Sequence, residues 1–446
     1  MANDAIVAIA TPPGRGGIGV VRVSGPGLTN LLQGVVSTSV TPRRATRAIF
    51  RGRDGAAIDH GLVLYFPAPY SYTGEDVVEF QGHGGPVVLQ LVLKRCVELG
   101  ARLAEPGEFT KRAFLNDKLD LVQAEGVADL IEASTVEAAR SAVRSLEGEF
   151  SLCVKAMIDA LITLRMLVEA TLDFPEEDAA FLEEGAALAK LTDLQKQLAQ
   201  VLAVSRRGRL LREGMRVVLS GPPNVGKSSL LNRLAGMERA IVTEIPGTTR
   251  DAIRETVAIR GVPLHLIDTA GLRESEDPVE RVGVARSWEE IGNADLVLWI
   301  CDATRVETLH PSSDLLQRLP AGIPQIRVIN KVDLVSGRPS SATQSALAEV
   351  LVSAKTGSGI EALEDSILGA AGWCGDGEGL FMARTRHISA LESASKHLDL
   401  GRREFACSEL LAEELRLAQS ALREITGEFT ADDLLGRIFA GFCIGK

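Results

Sequence analysis

The stretch Gly221-Pro-Pro-Asn-Val-Gly226-Lys227-Ser228 decides the fold of this chain. It matches the spacing GxxxxGK[ST], in which glycines let backbone N–H groups turn toward phosphate oxygens. The short run 215–220 before it has no polar alternation, as expected for a strand buried on both faces. A helix is expected to follow, and its N-terminus adds a positive dipole end. Lys227 would reach the β- and γ-phosphates and Ser228 would ligate Mg²⁺, so the stretch predicts a P-loop nucleotide domain.

Four further motifs follow in the order typical of a guanine-nucleotide domain. Residues 247–251, Gly-Thr-Thr-Arg-Asp, offer a switch hydroxyl, and Asp268-Thr-Ala-Gly271 would face the metal and the γ-phosphate. In Asn330-Lys331-Val-Asp333 the aspartate can accept from N1–H and the exocyclic amine of guanine, which adenine does not offer. In Ser353-Ala354-Lys355 the alanine N–H can meet guanine O6. Each motif is weak alone, but the ordered set predicts that the nucleotide is GTP.

The residue that orients the attacking water is not evident from these motifs. Leu272 follows the glycine of the second motif, where Ras-type enzymes place a glutamine, and no glutamine lies nearby. An acidic residue of the next loop or a partner protein must take that role. The candidates in this loop are Glu274, Glu276, Asp277 and Glu280.

Length and composition indicate a globular protein of two or three domains. The chain has 446 residues, of which 46% are hydrophobic and 24% charged, and its apolar runs are too short to span a membrane. The first ten residues lack the basic region of a signal peptide. Six cysteines lie far apart without a CxxC pair, which argues against zinc and disulfides. We therefore expect a cytoplasmic protein that does not enter a membrane.

The net charge of 48 − 59 = −11 argues weakly against nonspecific coating of nucleic acid. Two clusters of arginine are locally positive although the net charge is negative, and they are the first places to look for an RNA contact. Their ordinary interpretation, a solvated surface, is favoured on charge pattern alone. The clusters are Arg43, Arg44, Arg47, Arg51 and Arg53, and Arg206, Arg207, Arg209, Arg212 and Arg216.

The spacing of apolar and turn-forming residues changes along the chain and predicts four segments. Short apolar runs between Gly and Pro indicate an α+β domain over 1–117. Helical periodicity follows over 118–213, with one helix ending near Val201, and it returns over 371–446 after the nucleotide domain at 214–370. Helical segments on both sides of an inserted α/β region suggest one discontinuous helical domain.

The flanking regions carry a resemblance to a known family. The chain resembles, over essentially its whole length, the bacterial and organellar tRNA-modification GTPases called MnmE or TrmE. The strings that carry this resemblance are Ala10-Thr-Pro-Pro-Gly-Arg-Gly-Gly17, Thr73-Gly-Glu-Asp76, Gln81-Gly-His-Gly-Gly85, Pro106-Gly-Glu-Phe-Thr110, Ala113-Phe-Leu-Asn-Asp-Lys-Leu-Asp-Leu121 and Phe442-Cys-Ile-Gly-Lys446.

The resemblance implies a tetrahydrofolate-binding, dimerising α+β domain, then a discontinuous helical domain that carries an inserted Ras-like G domain. It also implies an activity. With the FAD-dependent partner MnmG (GidA), in a heterotetramer or a larger assembly, a homodimer would modify C5 of the wobble uridine of tRNA. A one-carbon unit from 5,10-methylene-tetrahydrofolate, or a formyl derivative, would become part of an aminomethyl or carboxymethylaminomethyl group, and GTP hydrolysis would be required.

The resemblance also assigns roles to individual positions. Glu280 falls on the catalytic glutamate of the family. A K⁺ site falls on the Asn224 side chain and on main-chain oxygens of Thr243, Ile245 and Thr248, and Mg²⁺ on Ser228 and Thr249. The folate-binding positions of the family correspond to Arg22, Glu79, Lys118 and Lys446. The positions expected to contact GTP are Asn224, Val225, Gly226, Lys227, Ser228, Ser229, Thr243, Glu244, Ile245, Pro246, Gly247, Thr248, Thr249, Asp268, Thr269, Ala270, Gly271, Asn330, Lys331, Asp333, Ser353, Ala354 and Lys355.

Two other functional classes compete with this interpretation. A ribosome-assembly GTPase of the Era or Der type would have a nearly identical G domain, but no GXXG clamp of a KH-type RNA-binding domain is evident. A nucleotide-regulated helical scaffold would leave the N-terminal strings unexplained. His83, without a visible partner in sequence, is interpreted as structural, and Cys443 is either a nucleophile or a buried thiol.

Overall fold

The computed structural model describes residues 4–173, 184–236, 254–268, 292–305, 322–335, 348–373, 379–428, 432–443 and 445. The chain divides into two compact units. The first contains residues 1–128, 146–182 and 400–446, and the second contains residues 129–145 and 183–399. The division into four segments made from the sequence remains a prediction.

The described strands and helices alternate irregularly along the chain. The strands are β1 (Ile6–Ile9), β2 (Gly16–Gly25), β3 (Thr46–Arg51), β4 (Ala57–Phe66), β5 (Asp76–Gly84), β6 (Arg102–Leu103), β7 (Met215–Ser220), β8 (Arg254–Ile259), β9 (Val262–Asp268), β10 (Leu296–Asp302), β11 (Gln325–Asn330) and β12 (Ala348–Leu351). The helices are α1 (Thr29–Val35), α2 (Pro86–Glu98), α3 (Glu108–Leu115), α4 (Leu121–Glu132), α5 (Val136–Leu146), α6 (Glu149–Asp173), α7 (Glu184–Glu213), α8 (Lys227–Ala235), α9 (Ile360–Ala370), α10 (Thr385–Arg403), α11 (Ser408–Thr426) and α12 (Asp432–Ala440).

The first unit is built on a six-stranded sheet with the order β3-β4-β5-β2-β1-β6. All neighbouring pairs are antiparallel except β1 and β6, which are parallel. One face of this sheet packs against α1 and α2, with Phe50, Phe80 and Leu89 in the shared core. Because side chains alternate between the faces of a strand, the neighbours of these residues on β2 to β5 point to the opposite face. We call this second face the outer face of the sheet.

The second unit is built on a six-stranded sheet with the order β12-β11-β10-β7-β9-β8. Its strands are parallel except for β8, which pairs antiparallel with β9 at the edge. Every residue of β10 is buried, which fits a strand covered on both faces. Since the carboxyl ends of parallel strands share one edge, the last residues of β7, β9, β10 and β11 lie at one edge of the sheet.

Most elements expected from the sequence are present, but one helix is longer than predicted. α7 continues past Val201 to Glu213, so the second arginine cluster begins within a helix. Leu191, Leu198 and Ser205 are nearly fully buried, and their spacing of seven residues places them on one inward-facing stripe. The small polar Ser205 interrupts the apolar pattern of this stripe, which is why hydrophobic periodicity alone ended the helix too early.

Two features of the described residues bear on the membrane and cysteine predictions. Among them, no helix is both long enough and apolar enough to cross a bilayer. The cysteines that lie in this part of the chain, Cys96, Cys153, Cys301, Cys407 and Cys443, are all free thiols. Cys443 is exposed, so the interpretation of that residue as a buried thiol is wrong.

Candidate guanine-nucleotide and folate sites

The loop between β7 and α8 forms a cradle of backbone groups. Asn224 and Gly226 have left-handed backbone angles, with φ of 65° and 97°, which curl the chain before α8 begins at Lys227. A Cβ at Gly221 would lie 2.3 Å from the Ile300 carbonyl oxygen, so only glycine fits there. The curled loop and the N-terminus of α8 supply the N–H donors that an anion requires.

Lys227 lies inside this cradle. Its side chain is largely buried, and Nζ donates to the carbonyl oxygens of Gly221 at 2.8 Å and Pro222 at 3.1 Å. Ser228 and Ser229 follow at the start of α8 and are exposed. The ammonium group is therefore held at the concave side of the loop, where the predicted phosphates would sit.

The loop after β11 is tied to the phosphate loop and to the loop after β12. The buried Asn330 side chain donates to the Val225 carbonyl at 2.9 Å and accepts from the Ala354 N–H at 3.0 Å. The Ala354 N–H, expected to meet guanine O6, is thus occupied by Asn330 in this structure. The exposed Asp333 accepts a hydrogen bond from the Ser353 hydroxyl at 2.6 Å, which orients its carboxylate.

Sequence reasoning missed one residue of this site, Asp302 at the end of β10. Its Oδ2 accepts from Lys331 Nζ at 2.6 Å, and Lys331 Nζ also donates to the Asn224 carbonyl at 2.7 Å. The Thr304 N–H and hydroxyl both donate to Asp302 Oδ1, at 2.9 and 2.7 Å. Burial opposes ionisation, but the Lys331 and Thr304 hydrogen bonds outweigh it and hold the pKa of Asp302 below its ordinary value. Only its position after a buried strand could have signalled it.

Several predicted positions cannot be placed around this cradle. Asp268 ends β9 beside Leu219 of β7, at the same edge of the sheet as the phosphate loop. The remaining switch, K⁺, catalytic and folate positions lie outside the described residues: Thr243, Glu244, Ile245, Pro246, Gly247, Thr248, Thr249, Thr269, Ala270, Gly271, Glu280 and Lys446.

A second polar site lies on the outer face of the sheet in the first unit. Arg22 of β2 and Glu79 of β5 are cross-strand partners, with Arg22 Nε 3.0 Å and Nη2 2.9 Å from Glu79 Oε1. The rings of Tyr72 and Phe109 each lie 5.8 Å from the guanidinium carbon, within cation–π range. Two of the predicted folate residues are therefore in direct contact and are flanked by aromatic rings.

The C-terminal segment reaches the same site. Arg22 Nη1 lies 3.4 Å from the Gly445 carbonyl oxygen, although 423 residues separate them in sequence. Gly107 allows α12 to pack closely against the start of α3, since a Cβ at Gly107 would lie 2.7 Å from the Phe439 carbonyl oxygen. Lys118 lies beside Gly74, where an added Cβ would be 3.3 Å from Lys118 Cε. Phe109, Tyr72 and Gly445 had no signal in the sequence that linked them to Arg22.

A buried ionic network supports this site at the start of α3. The Glu108 carboxylate accepts from Arg102 at 2.8 and 2.6 Å, from the Glu105 N–H at 2.8 Å and from Arg112 at 3.0 Å. Arg112 in turn donates to Glu75 at 3.0 Å. Burial opposes the charge on Glu108, but these donors, led by Arg102, hold the pKa of its carboxyl below the ordinary value.

Comparison with known proteins covers both units. Two family models match: "GTP-binding protein TrmE N-terminus" over residues 5–118 and "MnmE helical domain" over residues 121–443. The "tRNA modification GTPase MnmE" of Azoarcus sp. (strain BH72) is 58% identical over 443 residues, which is 99% of this chain and 98% of that protein. The chain belongs to the MnmE family of tRNA modification GTPases. A second MnmE, from Ralstonia nicotianae, is 57% identical over 456 residues, covering 99% of this chain and 96% of that protein.

Membership of the MnmE family confirms the predicted fold class and enzyme class. This MnmE-family chain is a GTP hydrolase that acts in tRNA modification, and its N-terminal match leaves the Era or Der alternative without support. A solved structure of an Era variant from Aquifex aeolicus, bound to GDP and AlF4⁻, is 26% identical and covers 42% of this chain and 67% of that one. Its TM-score of 0.29 is too low to establish a common fold.

Two more polar clusters of the MnmE-family chain were not anticipated. His83, which had no visible partner in the sequence, donates through Nδ1 to Asp59 Oδ1 at 2.8 Å, and its backbone N–H donates to Asp59 Oδ2 at 2.7 Å. In the second unit, the buried Asp129 accepts from Arg212 at 2.8 Å and from Arg384 at 2.7 Å. A cavity of about 410 Å³ beside Asp129 reaches Gly214, at the opposite end of β7 from the phosphate loop.

Proposed function

We propose that this chain is a K⁺-activated GTPase that modifies C5 of the wobble uridine in tRNA together with a flavin-dependent partner. The product group would be aminomethyl or carboxymethylaminomethyl, and its methylene carbon would come from 5,10-methylene-tetrahydrofolate or a formyl derivative. The observation that carries the proposal is the Arg22–Glu79 pair, with the Tyr72 and Phe109 ring centroids each 5.8 Å from the guanidinium carbon. A GTPase alone would not need such a site in a separate unit.

The chemistry of this site suits a folate. The Glu79 carboxylate can accept from the amine and ring N–H of a pterin, and Arg22, which contacts Glu79 at 2.9 Å, would bind the same end of the ligand. Tyr72 and Phe109 provide apolar surface for an aromatic ligand. Arg22 and Glu79 are each less than one-fifth exposed and neutralise one another, so neither charge is left buried without a partner. We assign Lys118 and Lys446 to the same ligand, which would supply the one-carbon unit.

The nucleotide site suits GTP with Mg²⁺. The cradle and Lys227 would bind the phosphates, while Asp333 would select guanine through two hydrogen bonds. We assign Mg²⁺ to Ser228 and Thr249, where its charge would offset that of the phosphates. The remaining GTP contacts are those expected from the sequence, in the switch segments and in the loops after β9, β11 and β12.

Potassium would be held by Asn224 with main-chain oxygens of Thr243, Ile245 and Thr248. The Asn224 carbonyl is already used by Lys331, whereas its exposed side chain makes no hydrogen bond to any described residue. A neutral amide oxygen is a suitable ligand for a hard cation, and the added positive charge would stabilise charge that develops on the phosphates. Glu280 would orient the water, in place of the glutamine that is absent after Gly271.

Two partners complete the proposal. A second copy of the chain would form a homodimer, and the G domains of the two copies would associate when K⁺ orders the switch segment. The FAD-dependent protein MnmG (GidA) would join in a heterotetramer or a larger assembly and supply the redox step. These partners follow from the family resemblance described above.

The first test is the GTPase rate of the purified chain in KCl and in NaCl at equal ionic strength. We expect strong activation by K⁺ that disappears in Asn224→Ala, with Asn232→Ala on the outside of α8 as a matched control. Equal rates in the two salts would remove the K⁺ site. Modification of tRNA would then be assayed with MnmG, GTP and methylene-tetrahydrofolate, and a reaction that proceeds without folate or in Arg22→Ala would refute the folate site.

A further inference from the structure

The two arginine clusters, which look alike in the sequence, differ in the structure. In the second cluster, Arg206 forms an ion pair with Glu392 at 2.7 Å and Arg212 pairs with the buried Asp129 at 2.8 Å. These guanidinium groups are therefore already partly neutralised by acids of their own unit. A cluster neutralised in this way has little positive charge left for another molecule.

The first cluster has no acidic partner in the described part of the chain. Residues 43–53 contain β3 and the start of the turn that joins it to β4, and we call this part of the β3–β4 hairpin the basic hairpin. It contains five arginines and no acidic residue. None of the five arginines forms an ion pair with any described residue. Arg43 and Arg51 donate to the carbonyl oxygens of Tyr70 and Gly55, which fixes the two ends of the hairpin. Arg44, Arg47 and Arg53 are exposed, and their side chains make no hydrogen bond to the described part of the chain.

This absence of pairing is unusual for the composition of the chain. Acidic residues outnumber basic ones by 59 to 48, so an exposed arginine has many acids available to it. The nearest acid in sequence, Asp54, accepts from the backbone N–H of Ala56 at 3.0 Å rather than from a guanidinium. The basic hairpin is therefore a local region of positive potential on a protein of net negative charge.

The hairpin also lies at the correct edge of the sheet. β3 is the edge strand, Ala48 and Phe50 are buried, and the side chains of Arg47 and Arg51 alternate to the outer face. Arg47 faces Leu62 of β4, and two residues further along β4, Leu64 faces Glu79 of the candidate folate site. Three strand spacings separate β3 from β2, about 14 Å.

Among the described residues, none places a free acid on the surface between the hairpin and the folate site. Leu62, which is 41% exposed, and Gln81 lie between Arg47 and β2. Glu79 is paired with Arg22, and Asp59, the cross-strand partner of Phe50, lies on the opposite face of the sheet. A polyanion bound along β3 would meet a neutral surface as it approached Arg22.

We infer that the basic hairpin binds the phosphate backbone of the substrate tRNA and directs it across the outer face toward the one-carbon site. The inference rests on the proposed function only in naming the destination. Exposed arginines without acidic partners suit phosphate, because binding releases counterions from the RNA without breaking an ion pair of the protein. Backbone contacts of this kind position the RNA, while recognition of the base takes place elsewhere.

The test removes the three exposed charges in R44Q/R47Q/R53Q. Binding of the full chain to an in-vitro transcribed tRNA would be followed by fluorescence anisotropy at several KCl concentrations. We expect affinity to fall about tenfold or more at low salt. The slope of log K against log salt should also become shallower by about 2, since each single-strand phosphate contact contributes roughly 0.7. The lysine variant R44K/R47K/R53K should keep most of the affinity.

The matched control is R206Q/R207Q/R209Q, which removes the same charge from the second cluster and should bind within about twofold of the wild type. Thermal melting would verify that the variants are folded, and their basal GTPase rate should be unchanged. Equal loss in both variants would reduce the effect to net charge and overturn the inference. So would wild-type affinity in the hairpin variant, or no measurable binding by the wild type.

Two further outcomes separate this inference from the proposed function. A hairpin variant that keeps tRNA affinity but changes its oligomeric state would assign the surface to a second copy of the chain, and this would overturn the inference. Intact tRNA binding through the hairpin, combined with modification that needs no folate, would refute the proposed function and leave the RNA surface standing.

Discussion

Asp302 is expected to control nucleotide affinity although it has no predicted contact with GTP. Its carboxylate holds the Lys331 ammonium against the Asn224 carbonyl, so it joins the guanine loop to the phosphate loop. In Asp302→Ala, Lys331 loses a charge-assisted hydrogen bond, and Thr304 loses the acceptor of two more. The two loops would then have to be ordered at the moment of binding, at the expense of affinity.

The structure sets the size of the effect. A hydrogen bond to a charged group contributes about 1.5–3 kcal/mol. The Lys331 side chain is 30% exposed, so water can replace part of the lost contact and the lower value applies. About 1.5 kcal/mol corresponds to roughly a tenfold loss of GDP affinity. Most of this change should be seen as faster dissociation, because the cradle itself is intact.

The assay is stopped-flow dissociation of a fluorescent GDP analogue, combined with a double-mutant cycle. In a Lys331→Met background, Asp302→Ala should have little further effect, because the partner through which it acts is gone. Thr304→Ala removes the hydroxyl hydrogen bond to Asp302 and keeps the one from the N–H, so it measures the contribution of the hydroxyl separately. If Asp302→Ala weakened binding by the same factor in both backgrounds, or left affinity unchanged, the positioning role would be refuted.

Three other predictions concern the remaining sites. Glu108→Gln should lower the free energy of unfolding by about 1.5 kcal/mol in urea titrations, because charge-assisted hydrogen bonds to the buried Glu108 are lost. The loss is limited because Arg102 keeps Asp4, and Arg112 keeps Asp4 and Glu75. Because the pKa of Glu108 is depressed in the folded state, wild-type stability should decline as the pH falls below the ordinary value of 4.5. The variant should lack this part of the decline, and an unchanged pH profile would contradict the assignment. Asp333→Asn should bind xanthine nucleotides better than guanine nucleotides in competition assays, and retained guanine preference would count against Asp333. Arg22→Ala should weaken binding of a reduced folate at least tenfold by calorimetry while the GTPase rate is unchanged, and unaltered folate affinity would exclude Arg22 from the site.

Much of the nucleotide domain was predictable because its signals are local. A buried strand, a glycine loop and a helix start within fifteen residues identify the phosphate loop, and the structure has β7 and α8 on either side of Gly226. The position of the Asn330–Asp333 motif was likewise predicted correctly, since Asn330 is the last residue of β11. Local patterns of this kind depend on backbone geometry within one or two turns, which a short stretch of sequence specifies.

Contacts between distant segments were not predictable in the same way. The register of β2 on β5 brings Arg22 to Glu79 across 57 residues, and the chain returns after α12 to place Gly445 beside the same guanidinium. No pattern along the sequence records strand order, and a shift in register by one residue would move Arg22 to the covered face. The family resemblance supplied Arg22 and Glu79, but not the aromatic rings around them.

The arginine clusters show the same division. Their positions and charges are properties of the sequence, and on pattern alone both are solvated surfaces. Only the fold places Asp129 and Glu392 beside the second cluster and pairs the first with no acid of the described segments. Composition determines how much charge the chain carries, but pairing depends on which segments the tertiary structure brings within a few ångströms of each other.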